Sequence, residues 1–478
     1  MNASDSLALS PLLIIAFTAV VVMLGIAFRR SHAVAARLAL TGLTAAFLSI
    51  GAAAARVPRK VTPLLLVDRY ALFYTGLIVA SAAAVAVLSY RYFERHDGQR
   101  EELYLLLLLA TLGSAVLVTS SHFASFLLGL EILSVSLYGM VAYLKDRKQA
   151  LEAGIKYLIL ASASAAFLLF GMALIYADAG TMEFSHIRGI SLTGPGFPLL
   201  LSGVVLIVTG IGFKLGVVPF HLWTPDVYQG APAPVTAFVA TTSKTAMVAV
   251  LLRYFYLSGA LQYRAVFLVF AIIAIASMCA GNLLALRQKN VKRILAYSSI
   301  AHFGYILVAF LAGSTLAMEA VGFYLVAYTV TILAAFGIVT FLSGSERDAD
   351  GLEDYSGLFW RRPAIASVFT VALLSLAGIP ATMGFVGKFY VLAAGEAAAA
   401  WPLVIILVVS SVAGVFYYLR IVVTLYSAPV ELAAPIQMPS RGGALILVLL
   451  AILLIWFGVY PAPLLNLIRI TMAGLVQG

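Results

Sequence analysis

The sequence predicts an all-α, polytopic membrane protein of about 14 transmembrane helices. It predicts two inverted five-helix repeats (helices 4–8 and 9–13) and interruptions in helices 7 and 12. Three observations carry this. Of 478 residues, 63% are apolar and 10% charged, against about 25% charged in soluble domains. The apolar residues form long runs separated by short, mostly basic loops. Glycine and proline break two runs that lie five apart. No single soluble core could bury so much apolar surface, so lipid must be the solvent for most of it.

At roughly 20 residues per crossing, the spans read in order as Leu7–Phe28, Val34–Ala55, Tyr70–Phe93, Leu103–Thr119, Phe123–Leu144 and Leu151–Ala177. Leu199–Val218, Val235–Leu257, Val266–Leu286 and Ile294–Leu311 follow. Ala320–Leu342, Pro363–Ala394, Leu403–Leu425 and Ala444–Val459 complete the set. The first run has no basic residue before it, and Arg29, Arg30 and Arg37 after it. A cleaved signal peptide has the opposite order, so this run reads as a retained first helix with its N-terminus outside.

An even number of spans puts both termini on one side. Arg91, Arg95 and Arg100, then Lys145, Arg147 and Lys148, then Arg287, Lys289, Lys292 and Arg293 all follow odd-numbered spans, as do Arg347, Arg361 and Arg362, and Arg441. The positive-inside rule makes these loops cytoplasmic and both termini external. Arg56, Arg59 and Lys60, after span two, argue the other way. The net charge of +10 is therefore explained by topology rather than by nucleic-acid binding.

Proline removes a backbone donor and clashes with the preceding turn. Backbone groups freed inside a membrane need protein or water partners. Span seven carries Gly216 and Pro219 just after Lys214, and span twelve carries Gly378, Pro380 and Gly384 just before Lys388. A five-helix unit used twice explains the spacing. Because five is odd, the second copy is inverted, as in many transporters. The chain then divides into residues 1–102 (three N-terminal helices), 103–260 and 261–427 (the two repeats) and 428–478 (a C-terminal helix).

A charge in hydrocarbon costs roughly 2.5–3.5 kcal/mol on insertion scales. Lys214, Lys244, Lys388 and Glu131 all lie inside spans, so each must pair, line a wet path or carry protons. Glu131 shares a helical face with Ser134 and Tyr138. Lys214 is its expected partner, and the alternatives are a structural ion pair and a carboxylate that tunes an amine. Lys244 lies among hydroxyls in "TTSKT". His302, on one face with Ser298 and Tyr305, reads either as a hydrogen-bonded structural residue or as a relay between Lys244 and Lys388. Lys156, near Glu152, is a weaker candidate that could simply snorkel. His221 and Asp226 read as interfacial with Trp223 as an aromatic anchor, His122 as a loop or cap residue, and Glu319 and Arg420 as helix-end residues.

Cys279 is the only cysteine. One thiol cannot hold an iron–sulfur cluster, and it reads as a small buried residue. There is no HExxH, CxxCH or P-loop, and no GxGxxG follows a strand. "GIGFKLG" lies within a membrane helix.

The runs "GFKLGVVPFHLWTPDVYQGAPAPVTAFVATTSK", "RILAYSSIAHFGYIL" and "LSLAGIPATMGFVGKFYV" resemble the subunit N family of the bacterial proton-pumping NADH–quinone oxidoreductase, respiratory complex I. "VDRYALFYTGL" and "LLGLEILSVSLYGM" extend the likeness to most of the chain. PFHxWxPD marks the wider antiporter-like superfamily, and TPDVYQGAPAPV with the short C-terminus marks subunit N. The resemblance implies a mid-membrane axis of protonatable residues, with Glu131, Lys214, Lys244 and Lys388 at the family's positions. It implies no cofactor in this chain; FMN, iron–sulfur clusters, NADH and quinone belong to partner subunits. The implied partners are other complex I subunits, above all neighbouring membrane subunits, and membrane lipid. The implied location is the bacterial inner membrane, with both termini periplasmic. Two other readings stand beside it: a subunit of an Mrp-type cation/proton antiporter, and a membrane scaffold that pumps nothing.

Overall fold

The computed structural model describes residues 2–96, 98–187, 197–428 and 440–477. Among them, thirteen helices are long and apolar enough to cross a membrane. They coincide with predicted spans one to eleven, thirteen and fourteen. The twelfth crossing is made of two shorter helices, Pro363–Ala377 and Met383–Ala397.

Several helix starts follow directly from local chemistry. Asp68, His122, Asn290 and Ser314 cap spans three, five, ten and eleven, each accepting a backbone N–H of the first turn, which satisfies one of the donors left over at a helix start. His122 is thus a cap, as expected.

Both expected interruptions are present. Span seven runs Phe197–Leu215 and stops at Gly216, whose φ is +69°. The chain then turns before the short helix Trp223–Gly230. Span twelve stops at Gly378, with φ +80°. Both glycines occupy the left-handed region, which other residues enter only with strain. Span eight holds an irregularity that no glycine or proline announces. Its crossing, Ala233–Ser258, contains a π-helical turn at Val239–Ser243, immediately before Lys244. Such wide turns recur at functional positions.

Burial separates inner from outer spans. The apolar windows of spans eight, ten and eleven are 100%, 94% and 89% buried, against 33% or less for spans one, two, six, thirteen and fourteen. The central spans carry Lys244 and His302. Lipid gives helices no hydrophobic reason to associate, so close packing must do it. Spans four and five show how close: a Cβ on Gly113 would lie 2.6 Å from the Leu133 nitrogen.

Some features depart from the sequence reading. A two-stranded antiparallel hairpin, Arg59–Thr62 with Leu65–Val67, joins spans two and three. Segment 428–478, read as one helix, holds two, Arg441–Val459 and Ala462–Gln477; its residues 429–439 lie outside the described set. The second helix escaped notice because it is short and carries Asn466 and Arg469. Cys279 is exposed rather than buried, because an apolar residue on a membrane helix can face lipid as readily as protein. In the basic loop after span two, Arg59 pairs with Asp5, and Lys60 with Glu183.

Candidate functional site

Glu131, Lys214, Lys244, His302 and Lys388 lie along a largely buried file of polar and aromatic contacts that runs from span five to span thirteen. At its first end, Lys214 is 2% exposed and donates to Ser134 Oγ at 2.7 Å. Ser134 in turn donates to the Leu130 carbonyl. Ser134 lies one turn beyond Glu131 on the same span, span five. Glu131 forms no ion pair among the described residues, and its Oε1 is buried without a hydrogen-bond partner. It still lies within coulombic reach of Lys214. The expected pairing is therefore electrostatic, with no direct salt bridge between the two groups.

The ring of Tyr157 lies 5.4 Å from Lys214 Nζ and 5.0 Å from the Trp223 ring. Trp223 is only 2% exposed and donates its indole N–H to the Phe213 carbonyl at 2.8 Å. This corrects its reading as an interfacial anchor. The break after Gly216 folds the following segment back into the protein, where the indole caps a carbonyl at the end of span seven.

Lys244 is fully buried. Its Nζ donates to Ser299 Oγ at 2.8 Å and faces the rings of Phe303, Tyr228 and Trp223 at 4.7, 5.5 and 6.0 Å. Tyr328 also donates to Ser299, at 2.7 Å. A Cβ built on Gly216 would lie 3.4 Å from Lys244 Nζ and 2.4 Å from Thr224 Oγ1, so the break in span seven abuts this lysine. The buried hydroxyls of Thr224 and Thr242 have no hydrogen-bond partner among the described residues.

One turn past Ser299 on span ten, His302 Nδ1 lies 2.6 Å from Tyr324 Oη, and Nε2 lies 3.0 Å from Tyr418 Oη. Tyr418 also bonds Ser298. The Tyr305 ring is 5.5 Å from the His302 ring and 5.5 Å from Lys388 Nζ. Lys388 donates to the Ala377 carbonyl at 2.8 Å and to Ser411 Oγ at 2.9 Å. Ala377 is the last residue before the break in span twelve. Ser411 is only half-buried, so the file approaches the protein surface there.

Lys156 lies apart from this file. It is exposed and pairs with Glu152 at 2.6 Å and Asp226 at 2.9 Å; Asp226 also binds Arg293. Arg420, read as a helix-end residue, donates to the carbonyls of Leu286 and Gln288 and so closes the end of span nine.

Two buried ion pairs escaped the sequence reading. Arg253 and Asp68 meet at 2.8 Å with 0% and 4% side-chain exposure. Lys292 and Asp348 meet at 2.7 Å with 0% and 7% exposure, joined by Arg147 and Tyr92. Burial opposes ionisation of Asp348, but Lys292, Tyr92 and Arg147 together hold its carboxyl below the ordinary 3.8. Asp68 could have been suspected as the cap before an apolar run, and Lys292 as a charge beside one. Ser299, Tyr324 and Tyr328 carried no comparable signal, since serine and tyrosine are common in such spans. Among the described residues, no group of three or more His, Cys, Asp or Glu could hold a metal ion.

Residues 120–414 match the family model described as NADH:quinone oxidoreductase/Mrp antiporter, TM. The NADH-quinone oxidoreductase subunit N of Ectopseudomonas mendocina (strain ymp) is 50% identical over 478 residues, 98% of this chain and 97% of that protein. A chain of respiratory complex I from Thermus thermophilus superposes with a TM-score of 0.83 at 34% identity, over 95% of this chain and 98% of that one. A chain of the Mrp complex from Dietzia sp. DQ12-45-1b gives a TM-score of 0.87, over 99% and 98% of the two chains, but only 19% identity. The Mrp likeness shows the shared fold alone; identity along the chain separates the two families. By that identity the chain belongs to the NADH-quinone oxidoreductase subunit N family.

Proposed function

We propose that this chain is a proton-translocating membrane subunit of NADH–quinone oxidoreductase, moving protons along Glu131, Lys214, Lys244, His302 and Lys388. One contrast supports the reading. The chain carries two kinds of buried charge. Arg253 and Lys292 are ion-paired with carboxylates, as inert buried charges should be. Lys214, Lys244 and Lys388 instead hold only hydroxyls, a carbonyl and aromatic faces, and none has an ion-pair partner among the described residues. Lys244 and Lys388, so held, can lose and regain a proton without stranding a partner charge, while Lys214 answers to the charge of Glu131.

The steps follow from the contacts. Ser134 accepts from Lys214, on which Glu131 acts through its charge, and Ser299 and Tyr328 connect Lys244 towards His302. His302, with a phenol on each ring nitrogen, accepts on one side and donates on the other. Lys388 delivers towards Ser411. A carboxylate that approaches an ammonium stabilises its charged form. Movement of Glu131 relative to Lys214 therefore switches the first amine between holding and releasing a proton. The broken span seven supplies a place for that movement. Lys156, already paired at the surface, feeds the file at most indirectly.

In this reading, residues 103–260 and 261–427 are the two inverted units, flanked by residues 1–102 and 428–478. Both termini are periplasmic, as the basic loops after odd-numbered spans indicate. Redox energy comes from FMN, iron–sulfur clusters, NADH and quinone in partner subunits. The test is Lys214→Ala in the assembled complex, with proton uptake per NADH measured in sealed vesicles. Loss of pumping supports the assignment. Full pumping with normal quinone reduction would refute it and leave the scaffold reading.

A further inference from the structure

We propose that the outer half of spans two and three, with the C-terminal helix, forms a binding site for one anionic diacyl phospholipid. A groove of about 560 Å³ opens between these helices and span eleven. Its walls are apolar, formed by Phe47 and Ile50 of span two, Leu72 and Phe73 of span three, and Leu464 and Leu467 of the C-terminal helix. Gly51 and Gly76 shape it: a Cβ on Gly51 would meet nothing within 4 Å, and one on Gly76 would touch only side chains of Ile50 and Phe47. The one other polar lining side chain besides Arg69 is Thr471, which donates to carbonyls of its own helix.

The single charge in the lining is Arg69, the first residue of span three. Arg69 is exposed and forms no ion pair among the described residues. Its neighbour Asp68 is already committed to Arg253 and to the Ala71 N–H. From Arg69 to Ala80, the deepest lining residue on span three, is eleven residues, or about 16 Å at 1.5 Å per residue. That matches one leaflet, half of a hydrocarbon core about 30 Å thick.

A guanidinium at headgroup level above an apolar slot one leaflet deep has the shape and charge of a phospholipid. The phosphate would accept from Arg69 in the forked geometry that guanidinium favours, and the acyl chains would fill the slot. The charge selects an anionic headgroup. Such a lipid would bridge span two to the C-terminal helix, which itself packs against span three.

The test uses the whole complex in nanodiscs of phosphatidylcholine with a trace of phosphatidylglycerol carrying a photoactivatable group in mid-chain. Crosslinked peptides are mapped by mass spectrometry. The expected labels fall on residues 47–54 and 464–471. Unlabelled phosphatidylglycerol should displace them about fivefold better than phosphatidylcholine, the factor expected for one surface arginine. Arg69→Gln should lower labelling there by a similar factor and leave labels on the exposed face of span thirteen unchanged. Gly51→Leu should lower it by filling the slot. Equal displacement by the two lipids would overturn the proposal. So would Arg69→Gln labelling that matches wild type, or crosslinks showing a segment of another protein chain seated in the groove. The competition in wild-type complex decides the matter even if a variant fails to assemble.

Discussion

The pair Arg253–Asp68 offers a sharp test of the distinction between structural and working charges. Asp68 caps span three and accepts from Arg253 Nη2 at 2.8 Å. Asp68→Asn changes little else, because asparagine caps a helix about as well as aspartate. The loss is therefore the loss of the counter-charge. Arg253 is 0% exposed, and its Nε and Nη1 already lack partners. It would keep only the Tyr70 ring, 4.9 Å away, and the neutral amide oxygen in place of Asp68 Oδ1 as an acceptor, neither of which supplies a counter-charge. Removing one partner of a buried pair costs about 3–5 kcal/mol, whereas replacing both with apolar groups is often neutral or better. Asp68→Asn should thus destabilise by about that amount, and Asp68→Asn with Arg253→Met should recover most of it. SDS titration of the solubilised chain, followed by circular dichroism, measures both. Because Arg253 lies nine residues past Lys244, about 13 Å along span eight, the double variant should assemble and pump normally. The reasoning fails if Asp68→Asn sits within about 1 kcal/mol of wild type, if the double variant is no better than the single, or if a stable double variant cannot pump.

Three further outcomes are expected. Gly216→Ala places a left-handed alanine at a cost of about 1–2 kcal/mol, and its Cβ would lie 2.4 Å from Thr224 Oγ1. The turn beside Lys244 must shift, so proton flux should fall while native gels still show assembled complex. Ser299→Ala removes the one hydroxyl acceptor of Lys244, and such charged hydrogen bonds contribute about 1.5–3 kcal/mol; flux in vesicles should fall about tenfold or more, with Ser299→Thr retaining much of it. His96, outside the spans, accepts from Arg147 through Nε2 and donates to the Tyr92 carbonyl through Nδ1, both at 2.8 Å, which requires a neutral ring. Burial, together with Arg147, holds this imidazole below its ordinary 6.5, against the opposing pull of the Tyr92 carbonyl. The unfolded chain therefore binds the proton first, and the stabilisation present above pH 6.5 is lost as pH falls through the folded value. Thermal melts should show that acid-side loss in wild type and a flatter profile in His96→Gln.

The spans were legible because membrane thickness imposes a length that composition alone reveals. The breaks were legible because Gly216 and Gly378 are the residues a left-handed turn requires. The π turn at Val239–Ser243 was not, since its residues are ordinary helix or strand formers and the extra residue is accommodated by packing. Glu131, Lys214, Lys244 and Lys388 stood out because charge in an apolar run is costly. Their partners did not. Ser299 and Tyr328 resemble dozens of other hydroxyls, and only three-dimensional proximity selects them. Trp223 was misplaced for a related reason: beside PFHLWTPD it looks interfacial, and only the fold-back after Gly216 buries it. The Lys292–Asp348 pair joins residues 56 apart in sequence, a separation no local pattern encodes.

The two helix breaks, each with a lysine nearby, answer to one physical constraint. Interrupting a helix in a membrane frees carbonyls that must find donors. After span seven, the Phe213 carbonyl takes the Trp223 indole N–H; within span twelve, the Ala377 carbonyl takes the Lys388 ammonium itself. A half-helix C-terminus also carries partial negative charge, so it stabilises an amine nearby without the full charge of a carboxylate. That intermediate strength suits a transfer site. An ammonium facing a carboxylate, as Lys292 faces Asp348, is held fast, whereas one facing lipid would not persist at all. Lys388 at the end of a half-helix, and Lys244 against the turn that opens at Gly216, sit between those extremes. A movement of the break changes their electrostatic surroundings directly. The glycines that permit the breaks and the lysines beside them are thus two parts of one device.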